Sequence, residues 1–323
     1  MITEKTSIHF PGIEGGEWIQ GKLSSSDFRG LVGLTDFWDY TCANCIRTLP
    51  YLKEWHERYA HLGLLVVGVH TPQFEFARDR KNVLRGVHAF DVPYPVVLDN
   101  DYKIWNAFAN HYRPAKYLFD VEGQLQHQQI GEGGYADFER AIQSLLQERN
   151  DGCEFYGVLE PLRESDRPGA ILPPITPELY LGSQRGQIAS APPTFVAGAE
   201  QLFAMPAQLS PDTVSLVGHW SLHHQYAQYT GDIEGHILLH YSAVEANLVM
   251  RSRKGSRLFI MQDAQTLRRE DAGEDVRFEG GHATVMVREP RMYQLIRNER
   301  HGSHLLSLST SDPGLEAYVL SFV

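Results

Sequence analysis

The chain has 323 residues, more than one hydrophobic core usually serves, so two domains are expected. Hydrophobic residues make up 42% and charged residues 21%, with a net charge of −11 to which both halves contribute. That is an ordinary globular mix, and it excludes the basic footprint of a nucleic-acid binder or an attraction to anionic lipid.

In chain order, "LVGLTDFW" (31–38) follows the turn-like "SSSDFRG" and reads as a short buried strand. From Cys45, residues Ile46, Leu49, Leu52, Trp55 and Tyr59 recur at helical spacing up to Gly63. Pro50 lies inside that pattern, so a kink is expected there. "LLVVGVH" (64–70) is a second buried strand, which makes a βαβ unit with parallel pairing. Residues 74–90 pattern as a helix, 94–99 as a strand and 101–109 as a short helix. "AKYLFD" and "QLQHQQI" around Glu122-Gly123 predict a β-hairpin. Residues 135–149 predict an amphipathic helix, with Phe138, Ile142, Leu145 and Leu146 on one face.

The organisation then changes. Residues 151–178 are rich in Pro, Gly and charge and read as a linker laid across a surface. From about Leu179, short alternating runs such as "GHILLHYSA", "NLVMRS", "RLFIMQD" and "EAYVLSFV" sit between turn residues. They predict an antiparallel β-sandwich or jelly roll. The expected domains are an α/β unit over 1–150, the linker over 151–178 and the β unit over 179–323.

Two of the three cysteines form the C-x-x-C of "TCANC", Cys42 and Cys45, where the first strand runs into a helix. Three cysteines cannot build a disulfide framework. A structural zinc site needs four ligands, and there is no second C-x-x-C. A c-type haem needs His after the second cysteine, where Ile46 stands. An inert structural disulfide and a redox couple both remain. The helix start favours the redox couple, because its free N–H groups and positive partial charge stabilise a thiolate. Asp36, inside an apolar strand and on the opposite face from Phe37, reads as a buried carboxylate with a raised pKa that can take the proton of Cys45. Pro114, before the hairpin strand, is expected to hold a cis peptide beside the cysteines. That peptide would leave the backbone of Arg113 free for β-type pairing with a partner.

These residues resemble the thioredoxin-fold oxidoreductases of the TlpA and redoxin type. The resemblance rests on "TDFWDYTCANC", Pro50, Pro114 and the hairpin-plus-helix ending. "GVHTPQFEFARD", "YPVVLDNDYKIWNAF", "GEGGY" and, further on, "ELYLG" and "REPRMYQLIR" extend it to the soluble part of DipZ-type proteins. In those proteins a thioredoxin-like domain precedes a carbohydrate-binding-module-like β domain. The resemblance implies thiol–disulfide exchange with protein thiols, Cys42 attacking and Cys45 resolving. Catalytic roles then fall on Cys42, Cys45, Asp36 and Pro114, and partner contact on Trp38, Thr41 and Arg113. No cofactor beyond the Cys42–Cys45 disulfide and no metal is expected. The sequence departs from plain thioredoxin at Thr41 and at Ala43-Asn44, and from the DipZ type in carrying no CcdA-like membrane domain. Arg113 is expected to favour the Cys42 thiolate through its charge.

Weaker features complete the reading. Cys153 is expected to be a bystander. His219, His223, His224, His236 and His240 read as surface or core residues. Trp220, Tyr226 and Tyr229 are candidates for stacking on a sugar ring, or for the core. A thiol peroxidase is the first alternative. Its P-x-x-x-T-x-x-C arrangement is missing, because Thr35 and Asp39 stand seven and three residues before Cys42. A non-catalytic sugar- or protein-binding module is the second. No stretch approaches the roughly 20 apolar residues of a membrane span. The opening "MITEKTSIHFPGIEGG" lacks the order of a secretory signal, so the chain as written reads as cytoplasmic. A removed signal or anchor would make it extracytoplasmic.

Overall fold

The computed structural model describes residues 8–152, 154–155, 157–191 and 196–323. Cys153 therefore lies outside the described residues. The chain divides into two compact units, Met1–Leu172 and Pro173–Val323. No helix is long and apolar enough to cross a membrane among the described residues.

The first unit is built on a six-stranded sheet. Its strands are β1 (Glu17–Gln20), β2 (Val32–Trp38), β3 (Leu64–His70), β4 (Val96–Leu98), β5 (Ala115–Phe119) and β6 (Leu125–Ile130), in the order β1-β4-β3-β2-β5-β6. β2, β3 and β4 run parallel, as the βαβ pattern requires. β5 and β6 form the antiparallel hairpin, with Gly123 at φ +79 in its turn. Among the described residues, four α-helices complete the unit: α1 (Ala43–Tyr59), α2 (Arg80–Ala89), α3 (Lys103–Ala107) and α4 (Tyr135–Arg149). α1 runs through Pro50, which is exposed. The helix expected over 74–90 is interrupted at Asp79, whose carboxylate accepts from Lys81 N and caps α2. β1 escaped the sequence reading. It is four residues long, buries only Ile19 fully and lies at the sheet edge, so it lacks the apolar run that marks the central strands.

The stretch expected as a linker is divided between the units. Around Leu159–Arg167 it is strapped to α1 and α4. Tyr51 donates its hydroxyl to Asp166 (2.7 Å) and accepts Leu162 N (2.8 Å), and Glu139 accepts Leu159 N (2.8 Å). Backbone and side-chain bonds, not apolar periodicity, hold this strap, which is why its composition reads as a linker.

The second unit is all-β. Its strands form one connected network with antiparallel pairing between neighbours. "GHILLHYSA" and "NLVMRS" belong to a single strand, Gly235–Arg251, paired along its length with Arg291–Thr310. Register shifts at Ala243/Glu245 and Ala246/Asn247 break the alternation, so the sequence reads as separate strands. Trp220 and Tyr229 are buried in the core of this unit and meet edge to face at 5.2 Å, so neither offers a ring to a sugar. Tyr226 stacks on His223. The histidines go to separate partners: His219 to Glu200, His240 to Ser303 and His236 beside Glu234.

Candidate active site

β2 delivers the chain to the cysteines. It ends at Trp38, a turn closes with Cys42 N donating to Asp39 O (3.1 Å), and α1 starts at Ala43 with Cys42 as its N-cap. Cys42 Sγ accepts Cys45 N at 3.2 Å. The two cysteines are joined as a disulfide across this first turn. Cys42 is 7% exposed and Cys45 1%, so a partner meets Cys42 first.

The turn is braced from within. Asp39 is fully buried and accepts Thr41 N (2.7 Å), the Thr41 hydroxyl (2.6 Å) and Gln73 N (2.6 Å). His70, at the end of β3, stacks on Tyr40 and meets the Trp38 ring edge to face. Burial brings His70 down to about 4, against Asp39, with the Arg113 charge adding to the fall, so it is neutral at pH 7. Gly68 is needed here, because a Cβ would come within 2.9 Å of the Trp38 indole nitrogen. Trp38 and Thr41 are therefore buried parts of the turn. The partner contact expected of them is replaced by a role in shaping the loop, since neither presents a surface to a partner.

β2 separates two different environments. Phe37 points into an aromatic cluster with Trp105, Phe108 and Tyr117. Asp36 points to the opposite face, which it shares with its cross-strand neighbour Lys116. That face is covered by α4 and α1: Lys116 Nζ lies 5.5 Å from the Tyr135 ring, Tyr135 stacks on Tyr51, and Phe138 stacks on Trp55. Asp36 is fully buried, and neither carboxylate oxygen has a hydrogen-bond partner among the described residues. Burial pushes its carboxyl up to about 7, against the pull of Lys116. Burial likewise brings the Lys116 ammonium down to about 8, against the pull of Asp36 and Glu132.

The Arg113–Pro114 peptide is cis. β5 begins at Ala115, which pairs with Phe37 one residue before β2 ends, so Arg113 and Pro114 lie just beyond the end of that pairing. The Arg113 guanidinium sits 5.0 Å from the Trp105 ring centre. Pro114 O accepts Gly131 N (2.8 Å), which ties this loop to the one preceding α4. By their place in the strands, Pro114 and Arg113 lie at the end of the sheet where β2 leads into the Cys42–Cys45 turn, and Asp36 lies two residues inside β2 from that end. Lys116, Asp39 and His70 join the site only in the structure. Lys116 carries the same signal as Asp36, a charge inside an apolar strand, although "AKYLFD" by itself shows no more than a hairpin arm.

A buried parallel strand feeding a C-x-x-C helix start, with a cis proline across from it, defines a redox unit of the thioredoxin fold. Residues 8–128 match the AhpC/TSA family, and residues 176–322 match the family described as "Thioredoxin like C-terminal domain". The thiol-disulfide oxidoreductase YkuV of Bacillus subtilis is 32% identical over 132 residues, which cover 41% of this chain and 88% of that protein. Protein DipZ of Mycobacterium bovis is 29% identical over 301 residues, 93% of this chain. The alignment spans 40% of DipZ, so less than half of that protein has a counterpart here. A solved thioredoxin-like protein in its oxidised form shares 30% identity at a TM-score of 0.40, covering 43% of this chain and 96% of that one. The chain belongs to the thioredoxin-like thiol–disulfide oxidoreductases.

Proposed function

We propose that the protein exchanges disulfides with protein partners through Cys42 and Cys45. The observation that carries this is the disulfide across the first turn of α1, with Cys42 the more exposed sulfur. In the reductive direction the Cys42 thiolate, favoured by the helix N-terminus, attacks one sulfur of a partner disulfide. A Cys42–partner bond forms, and the other partner sulfur leaves as a thiolate. Asp36 then takes the proton of Cys45. The Cys45 thiolate attacks Cys42 Sγ, the Cys42–Cys45 bond forms, and the partner is released reduced. The oxidative direction reverses each step. Pro114 and the Arg113 backbone frame the site on which the partner lies. The Arg113 charge favours the Cys42 thiolate; an unmoved Cys42 titration in Arg113→Ala would refute that role.

Insulin reduction by dithiothreitol, with and without the protein, tests the activity. Cys45→Ser should trap a mixed disulfide on Cys42, and Cys42→Ser should trap none. The partners captured in cells by Cys45→Ser would identify electron donor, substrate and compartment together. A peroxide-consumption assay run alongside decides against the peroxidase alternative when it reads no turnover.

For the second unit we propose, as a second reading, a polyhydroxylated ligand of the sugar class. What supports it is a polar cleft of about 620 Å³ lined by Gln262, Asp263, Asn298, Arg300 and His301, among others. A glycan array probed with the whole protein tests it, and Arg300→Ala should weaken any binding found.

A further inference from the structure

Asp39 brings a carboxylate into the cysteine turn itself. The side chain is fully buried, and it accepts Thr41 N (2.7 Å), the Thr41 hydroxyl (2.6 Å) and Gln73 N (2.6 Å). All three bonds are accepted, the pattern of an ionised carboxylate. Its main-chain carbonyl accepts Cys42 N (3.1 Å), so Asp39 holds the turn by backbone and side chain together. Thr41 is the residue before Cys42. Standard backbone dimensions therefore keep the Asp39 charge within about 10 Å of Cys42 Sγ.

The groups around it leave this charge uncancelled. Among the described residues its ion-pair partner is His70, whose Nε2 lies 3.9 Å from Asp39 Oδ2. Tyr40 N donates to the same ring nitrogen at 3.5 Å, which fits an unprotonated nitrogen there. Burial opposes the ionisation of His70, so at neutral pH it brings no counter-charge. The Arg113 charge opposes it as well, and the guanidinium itself lies over the Trp105 ring at 5.0 Å. Asp36, further back in β2, is kept largely protonated below pH 7 by its own burial. The Cys42 sulfur thus stands between two influences of opposite sign. The helix N-terminus and Arg113 favour its thiolate, and Asp39 disfavours it.

We infer that Asp39 is a positioning residue whose buried charge weakens the Cys42 thiolate and poises the couple to give electrons to its partners. This rests on the reading of Cys42 and Cys45 as the exchanging couple. In that direction the dithiol gives two electrons to a partner disulfide. The Cys42–Cys45 bond forms, the partner S–S bond breaks, and the two thiol protons pass to the two partner sulfurs. A thiolate that is harder to form destabilises the reduced protein, so the disulfide is favoured and the couple is the stronger reductant. A unit charge about 10 Å away, at an effective dielectric of about 20, moves a titration by about one unit.

The test equilibrates the whole protein with mixtures of reduced and oxidised glutathione at a series of pH values. The Cys42 titration is read separately, from the pH dependence of its alkylation by iodoacetamide. In Asp39→Asn the Cys42 midpoint should fall by about one unit. Above that midpoint the glutathione equilibrium should move about tenfold towards the dithiol, or about 30 mV. Below both midpoints Cys42 is a neutral thiol in either protein, and the two potentials should meet. Thr41→Val removes one bond to the carboxylate and keeps the charge, so its Cys42 midpoint should not fall below that of wild type. Asp39→Ser gives the same readings as Asp39→Asn should the asparagine variant fail to fold. A Cys42 midpoint unchanged in the Asp39 variants would overturn the inference. So would a gap in potential that stays constant with pH, or a midpoint in Thr41→Val that falls as far as in Asp39→Asn, either of which assigns Asp39 to bracing alone. A wild-type protein that does not equilibrate with glutathione at all would overturn the exchange reading, and Asp39 with it.

Discussion

In the second unit the buried Tyr241 hydroxyl donates to Gln262 (2.8 Å), Gln262 donates to Asn298 (2.9 Å), and Asn298 donates back to Tyr241 (3.2 Å). In the first unit the buried Asp36 carboxylate has no donor among the described residues. The Trp38 indole nitrogen, His70 Nδ1 and the Tyr94 hydroxyl are likewise without partners among the described residues. Closed rings of bonds fix a fold and leave little free energy to be changed by protonation. Unpaired buried groups cost stability and shift pKa, which is the condition for acid–base work. The difference locates the chemistry in the first unit and assigns the Tyr241 ring to holding the second one together.

The widest separation of the units is in activity. Cys42→Ser removes the attacking thiolate and should bring insulin reduction down to the rate of dithiothreitol alone, a complete loss of the catalysed part. Tyr241→Phe should leave that rate alone. A residual rate in Cys42→Ser, or a fall in Tyr241→Phe, would break the comparison.

The next effect is in stability. Asp36→Leu combined with Lys116→Met removes both buried charges, and such replacements stabilise proteins by about 1–4 kcal/mol. The sign with pH follows from Asp36. Its folded value of about 7 lies above the ordinary 3.8, so its favourable contribution is complete below the unfolded value and is lost as pH rises through 7. The double variant should therefore melt at a higher temperature than wild type, by a margin that grows from pH 5 to pH 8. A constant margin would show that Asp36 is not the titrating group. In the second unit, Tyr241→Phe should do the opposite and cost about 1–3 kcal/mol, by stranding Gln262 and Asn298; calorimetry reads it as a fall in that unit's transition. The smallest expected effect is on the strap. Tyr51→Phe removes the donor to Asp166 and the acceptor for Leu162, worth about 1 kcal/mol, and should speed proteolytic cutting between residues 157 and 167 with little change in the exchange rate.

Much of the first unit was legible beforehand. β2, β3, the hairpin and α4 fall where apolar runs and periodicity put them, because these elements bury continuous apolar faces. Asp36 stood out as a charge in an apolar strand. The features that escaped share one trait: they are held by bonds between residues far apart in the chain. β1 pairs with β4 some 80 residues on. The strap bonds to α1 from more than 100 residues away. The long strands of the second unit were split at their register shifts, where alternation fails although pairing continues.

By itself the sequence determined the βαβ redox core, the C-x-x-C at a helix start, the position of the cis proline and the all-β character of the second unit. Each is written locally, in periodicity, turn residues and spacing. Only the tertiary structure decided what surrounds Asp36. Strand register puts Lys116 across from it and Gly68 on its other side, and the packing of α1 and α4 keeps water from both charges. Register and burial also turned Trp38 and Thr41 inward and placed Trp220 and Tyr229 in the core. Whether a side chain faces solvent or a neighbouring strand depends on which strands pair, and pairing is a property of the whole fold.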